Sequence, residues 1–460
     1  MKVTSVNIED ILLSNRYEPE YWIISHFLQS LFVTHSYNCF EEYTKFIRKG
    51  IFDLKAERYK KEGVPFLRIS NLKYFELDKT GMVYISESDN KTNSKTILKE
   101  GDIAFSKIGT LGKVLRINDE YPCVNISQNL IGAGLKENID KNYLFAFLLT
   151  KCALFQINRN RKKQLQDKLN LTDVKEIKVI NIPDQDRQII SLKVNQITKG
   201  SISANQLLSQ AQHLFYSRIG TDFQTVDKAN TFSVNKSNFA DADLWTPMYS
   251  YPLYVNTLKA IQGKWRTVSV GEIADLKKGN EVGSDTYIGY LDKRKTDVPF
   301  VRTSDIVNYE IDQYPDFFIP EEIYKELEQD FQNGDVLFTK DGKIGMVGMI
   351  TEYDKAIISS GFVGLRLKNK GREYGITPEY LFLALSIKEI GIYASKRRTV
   401  VASTIPHLRE ERLKEIEIPI LDKETISEIT NLVKQAFKLK DEKKRLIAEV
   451  RETMDGYFKV

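Results

Sequence analysis

Val64-Pro65-Phe66-Leu67-Arg68-Ile69-Ser70-Asn71 returns later as Val298-Pro299-Phe300-Val301-Arg302-Thr303-Ser304-Asp305, 234 residues on in a chain of 460. The echo widens from there. Gly101-Asp102-Ile103-Ala104-Phe105-Ser106-Lys107-Ile108-Gly109-Thr110-Leu111-Gly112-Lys113-Val114 matches Gly334-Asp335-Val336-Leu337-Phe338-Thr339-Lys340-Asp341-Gly342-Lys343-Ile344-Gly345-Met346-Val347 at an offset of 233. Residues 143–148 match 380–385 at 237, and 174–179 match 413–418 at 239. Upstream, Lys49-Gly50 answers Lys278-Gly279, and Tyr21-Trp22 answers Leu244-Trp245. Order is kept and the drift is small, so the differences are loop insertions. The period is far longer than the roughly 20–50 residues of stacked repeats. The copies are therefore domain-sized, and each can bury its own core.

Composition narrows the class. Hydrophobic residues make up 42% of the chain, as in ordinary globular proteins. No apolar run reaches the roughly 18 residues that a membrane span needs. Residues 1–10 mix charge and polarity and lack the apolar core of a signal peptide. Cys39, Cys123 and Cys152 lie far apart, with neither disulfide nor zinc spacing, which points to a reducing, cytoplasmic setting. The net charge of +5 permits a nucleic-acid partner without demanding one.

Apolar spacing predicts an α+β unit in each copy. Residues 8–30 read as a helical opening. Short β-like runs follow at 64–69, 82–85, 103–105, 113–117 and 130–135, then a helix over 141–157, a basic stretch and a short apolar run ending at Pro183. The second copy repeats that order, with strands from about 266 to 367 and a helix near 378–394. After each copy comes a long segment with apolar residues at helical spacing. The first holds Ile190, Val194, Ile197, Leu208 and Phe215, and the second Ile426, Ile429, Val433 and Phe437. Gly200-Ser201 is expected to interrupt or kink the first. In the second, Glu424, Glu428, Lys434, Lys438, Lys440 and Lys443 fill the polar face. Two such helices can bury their stripes against each other as a spacer, or each can cap its own domain. The boundaries are then a first domain over 1–183, its helix over 184–220, a polar linker over 221–240, a second domain over 241–420 and its helix over 421–460.

Several chemistries lack their motifs. There is no Gly-x-x-x-x-Gly-Lys-Ser/Thr phosphate loop, no dinucleotide fingerprint and no nucleophile elbow. His26, His35, His213 and His407 are scattered. Pro315-Asp316 with Asp341-Gly342-Lys343 can be read as the acid–acid–lysine set of a metal-dependent nuclease, but the first copy has Ser106-Lys107-Ile108-Gly109 where the acid would stand. Two features are basic and doubled. The glycine-bounded loops carry Lys107, Thr110 and Lys113 in one copy and Lys340 and Lys343 in the other. They are either ordinary strand turns or places where backbone and lysine approach phosphate. The stretch holding Arg159, Arg161, Lys162, Lys163 and Gln164 has its counterpart in Lys396, Arg397 and Arg398. Arg and Gln can read base edges there, or the stretch is a solvated loop. Arg68 and Arg302, inside the octapeptide, complete the cations common to both copies.

The ordered motifs resemble the specificity (S) subunit of Type I restriction–modification systems. They are Val-Pro-Phe-(Leu/Val)-Arg-x-Ser-(Asn/Asp), Gly-Asp-(Ile/Val)-x-Phe-(Ser/Thr)-Lys before two spaced glycines, a late Ile-x-Ile-Pro run and a long helix. Thr404-Ile405-Pro406-His407-Leu408 also looks like the family's second-copy ending, whereas residues 164–171 depart from it. The resemblance implies two α/β target recognition domains, each reading half of a bipartite asymmetric site in double-stranded DNA, with Thr404 and His407 among the candidate contacts. It implies that the two long helices pack as an antiparallel coiled coil, with a pseudo-twofold internal repeat and half-site centres about 10 bp apart. It further implies a non-catalytic chain that carries two methylation (M) subunits and joins restriction/translocase (R) subunits. S-adenosylmethionine, ATP and Mg²⁺ would bind those partners and none would bind this chain. Two other readings stay open: the recognition subunit of a Type II-class combined restriction–methylation enzyme, and a duplicated protein-interaction adaptor.

Overall fold

Glycine spacing and alternating apolar residues build the same sheet twice. The structure, a computed structural model, describes residues 19–159, 168–223, 226, 231–235, 244–282, 297–401 and 405–458. The chain divides into two compact units, one of residues 1–202 with 442–460 and one of residues 203–441.

In the first unit, strands Thr44–Lys49, Leu130–Leu135, Ile103–Ser106 and Val114–Arg116 form an antiparallel sheet in that order. Beside it lie Val83–Ile85, Val64–Leu67, Cys123–Ile126 and Ile97–Lys99, in which the octapeptide strand runs parallel to Cys123–Ile126. Pro65 sits one residue before that parallel pairing begins at Phe66, so its missing N–H leaves no bond unmade on that side. Leu67, Leu98, Ala104, Val124, Ile126 and Leu130 close the core between them.

In the second unit, Ala274–Lys278, Phe362–Leu367, Val336–Thr339 and Val347–Met349 form an antiparallel sheet of the same order. Val298–Val301 again pairs antiparallel with one strand, Phe318–Ile319, and parallel with another, Ile357–Ile358. The expected helix over 141–157 is two helices, Lys141–Leu148 and Lys151–Arg159. They part at Thr150, whose hydroxyl donates to the Phe147 carbonyl and accepts the Ala153 N–H. Near 378–394 the chain likewise forms Pro378–Ser386, a π-helical turn Lys388–Ile392 and Tyr393–Arg398.

Gly50 and Gly279 are fixed by close approach. A Cβ on Gly50 would lie 2.2 Å from the Ser127 carbonyl oxygen, and one on Gly279 2.0 Å from that of Ser359. Both obstacles are backbone and cannot swing aside. Gly50→Ala or Gly279→Ala is expected to destabilise the chain by about 1–3 kcal/mol, as overpacked interiors do. Thermal unfolding of the full chain checks this.

The long helices are Asp184–Ile219 and Lys423–Tyr457, of 36 and 35 residues. Gly200-Ser201 does not break the first. Flanking Ile197 and Ala204 are buried on its apolar stripe, and packing outweighs the roughly 1 kcal/mol cost of a helical glycine. Within the first unit, Lys193 pairs with Glu449 at 2.8 Å and the Tyr457 hydroxyl bonds to Asp186, so the helix segments run antiparallel. Within the second unit, Arg218 meets Asp422 at 2.6 Å in the same sense. Lys440 and Lys443, expected on the polar face, are buried in ion pairs with Glu310 and Glu76. No helix among the described residues is long and apolar enough to cross a membrane.

Candidate nucleic-acid interface

The doubled motifs shape one set of loops in each unit. Asp102 accepts the Lys99 N–H at 2.8 Å, and Asp335 accepts the Gln332 N–H at 2.9 Å. Each carboxylate thereby ties down the turn before its strand, and burial holds the Asp102 carboxyl above its ordinary range. Ser106 Oγ donates to the Thr110 carbonyl and accepts the Lys113 N–H, while Thr339 does the same with Lys343 and Met346. Gly109 and Gly112 have φ of 74° and 85°, and Gly342 and Gly345 have 66° and 89°, conformations that glycine takes without a steric cost. Lys107 N–H donates to the Asn129 carbonyl and Lys340 N–H to that of Gly361. Leu169 and Leu408 in turn donate to the Lys107 and Lys340 carbonyls, each 2.8 Å away. The loops are thus strand turns and also a face, with three chain segments held side by side.

On the first unit's face Lys107 is half-buried, and its ammonium donates to the Gln128 carbonyl at 3.0 Å. Burial lowers its affinity for a proton, and neighbouring Lys49 and Lys168 lower it further. Thr110 is exposed and Lys113 half-buried. Arg68 donates to the Gly81 carbonyl at 2.6 Å, with its guanidinium 5.9 Å from the centre of the Tyr59 ring. It lines a cavity of about 250 Å³ with Tyr59, Phe66, Ser70, Gln128 and Asn129. Donors and acceptors there stand against an aromatic wall, a combination able to hold a flat polar ligand edge.

On the second unit's face Arg302, Lys340 and His407 have acidic partners. Arg302 meets Asp305 at 3.2 Å and Asp316 at 3.7 Å and lies over the Phe317 ring. Lys340 pairs with Asp341 at 2.8 Å, and His407 Nδ1 meets the other oxygen of the same carboxylate. Lys343 is exposed. Asp316 and Asp341, the acids of the nuclease reading, are thus engaged in separate ion pairs. No group of three or more metal-binding side chains occurs among the described residues.

A scan against family models matches Type I restriction modification DNA specificity domain over residues 42–213 and again over 262–452, most of the chain. The chain belongs to this family. Two specificity domains therefore stand in tandem, and the matched ranges contain both loop faces. Among solved structures the chain is similar to the S subunit of the Type I restriction–modification system from M. genitalium, at 14% identity, 92% of this chain, 95% of that chain and a TM-score of 0.35. It is similar to the HsdS subunit from Thermoanaerobacter tengcongensis at 14% identity, 92% and 96% coverage and a TM-score of 0.27. It is also similar to the type IIG restriction endonuclease BpuSI at 13% identity, over 39% of this chain and 28% of that one, with a TM-score of 0.32. A search of curated proteins finds no match.

The described arginines of each domain's basic stretch are turned inward. Arg159 bonds to the Tyr21 hydroxyl at 3.1 Å and lies over its ring. Arg397 donates to the Tyr249 carbonyl at 2.8 Å and lies over that ring. Arg398 is buried and pairs with Glu415 at 3.1 Å. Beside them Lys396 is exposed. Arg161, Lys162, Lys163, Gln164 and Thr404 lie outside the described residues. Sequence reasoning passed over Lys49, Lys168, Gln128 and Asn129. The Lys49-Gly50 echo of Lys278-Gly279 was the available signal for the first, since Gly50 sits against the turn that carries Gln128.

Proposed function

We propose that this chain is the DNA-reading subunit of a Type I restriction–modification complex and that each unit's loop face meets one half of a bipartite, asymmetric site. What supports this most is a single observation: two faces with matching backbone hydrogen bonds differ in side chains at equal places. Gln128-Asn129 stands where the second unit has Ser360-Gly361, Ile108 where it has Asp341, and Lys168 where it has His407. A shared scaffold with diverging tips suits two readers of different bases. Arg68, Lys107, Thr110 and Lys113 in one unit, and Arg302, Lys340, Lys343 and His407 in the other, are the contacts proposed. Arg159, Arg397 and Arg398 would act by fixing the fold beside the face, and Lys396 by meeting phosphate.

On this reading the chain works in the cytoplasm without catalysing a reaction. It scaffolds two methylation subunits, joined by restriction subunits in the cutting complex, and S-adenosylmethionine, ATP and Mg²⁺ are bound by those partners. The test is duplex affinity of the complex with methylation subunits as salt rises from 50 to 200 mM. Several phosphate contacts should lower it by about a thousandfold or more. Salt-independent binding, or none, would instead favour a protein-interaction adaptor.

A further inference from the structure

The two faces differ in charge, and one position accounts for most of the difference. Lys49, Lys107 and Lys168 of the first unit correspond to Lys278, Lys340 and His407 of the second. Lys49 and Lys278 each precede the glycine packed on Ser127 or Ser359, and Lys107 and Lys340 bond to the same turn. Lys168 and His407 bridge to Ile108 and Asp341. In the second unit all three have a carboxylate. Lys278 meets Glu410 at 3.4 Å, Lys340 meets Asp341 at 2.8 Å, and His407 shares Asp341. In the first unit the place of Asp341 is held by Ile108, and none of the three lysines forms an ion pair among the described residues. Among the described residues the Lys107 ammonium bonds only to the neutral Gln128 carbonyl, and Asp53 approaches that turn through its backbone N–H, 3.3 Å from Gln128 Oε1. Lys49 and Lys168 are exposed.

Three like charges gathered with no acid paired to them among the described residues repel one another, and the arrangement is relieved when anions settle among them. On the second face a phosphate would have to compete with carboxylates already in place, and Asp341 would repel it. We propose that the Lys49–Lys107–Lys168 cluster is the principal phosphate anchor of the complex, while the second unit holds its half-site with its charge largely cancelled. This rests on the DNA-reading function above. Its consequence is that salt sensitivity is concentrated in one half of the molecule. Each phosphate contact contributes about 0.9 to the slope of log affinity against log salt.

The experiment measures that slope for the complex with methylation subunits on one duplex. Lys49→Gln with Lys168→Gln should lower the slope by about two. Lys278→Gln with His407→Gln should change it by less than about half a contact. Lys49→Arg with Lys168→Arg should keep the parent slope, and Ile108→Asp should lower it as the glutamine pair does. Unfolding midpoints of the exposed-lysine variants should match the parent, so a lost slope reflects lost contacts. Equal losses from both pairs, or no loss from the first, overturn the proposal while the DNA-reading function stands. A shallow slope in the parent itself overturns both.

Discussion

Replacing Glu310 with alanine is expected to destabilise the full-length chain by about 3–5 kcal/mol, the cost of stranding a buried charge. The charge is Lys440, whose side chain is 0% exposed against 2% for Glu310, with Nζ and Oε1 3.1 Å apart. Lys440 also donates to the Asn308 carbonyl at 2.9 Å, in a tight turn where Asn308 and Tyr309 both have positive φ. Lys440→Met alone should cost about as much as Glu310→Ala, because it leaves the Glu310 carboxylate buried without its partner, whereas removing both charges leaves neither stranded. The double variant should then recover most of the Glu310→Ala loss. Urea unfolding of the four proteins tests this. A Glu310→Ala loss no smaller in the Lys440→Met background would show that the pair is not the source. The first unit repeats the device. Glu76 stands 234 residues before Glu310, the interval of the octapeptide, and pairs with Lys443 at 3.1 Å and with Ser201.

The second large effect concerns spacing. The first long helix opens in one unit and ends in the other, and the second does the reverse. If the pair sets the distance between half-sites, lengthening both helices must lengthen the gap in the DNA. One heptad inserted between Ile202 and Ser203, and one between Asp441 and Glu442, leaves each unit's residues intact. Seven residues add about 10 Å of helix and fall only about 20° short of two turns. At about 3.4 Å per base pair, the preferred gap should grow by roughly three base pairs, with the bases on either side unchanged. Selection of bound duplexes from a library with randomised gap length measures it. A gap that keeps the parent length would mean that the helices are not the ruler.

Much of this was legible because duplication repeats its errors and its constraints together. Gly101-Asp102 and Gly334-Asp335, read as motifs, are turns tied by a carboxylate, and Gly109, Gly112, Gly342 and Gly345 hold positive φ. The strand Cys123–Ile126 was missed because it is short and carries Asn125 at its centre. That residue is fully buried and bonded to Thr96, Asn90 and Asn93, a network that hydrophobic periodicity cannot register. Lys440 and Lys443 looked like surface residues because their acids lie 130 and 367 positions away. Arg397 and Arg398 looked like a basic patch for the same reason. Tyr249 and Glu415, which take them, are distant in sequence or on another element. Long-range pairing, not local pattern, decides whether a cation faces solvent.

Sequencing methylated bases across the genome of a host, with and without this chain, puts the two-reader account to its most direct trial. It predicts one new motif made of two short specific blocks, separated by a fixed gap of unspecified bases, with centres about one helical turn, roughly 10 bp, apart. One uninterrupted motif, or a methylation pattern that does not change with the chain, would contradict it.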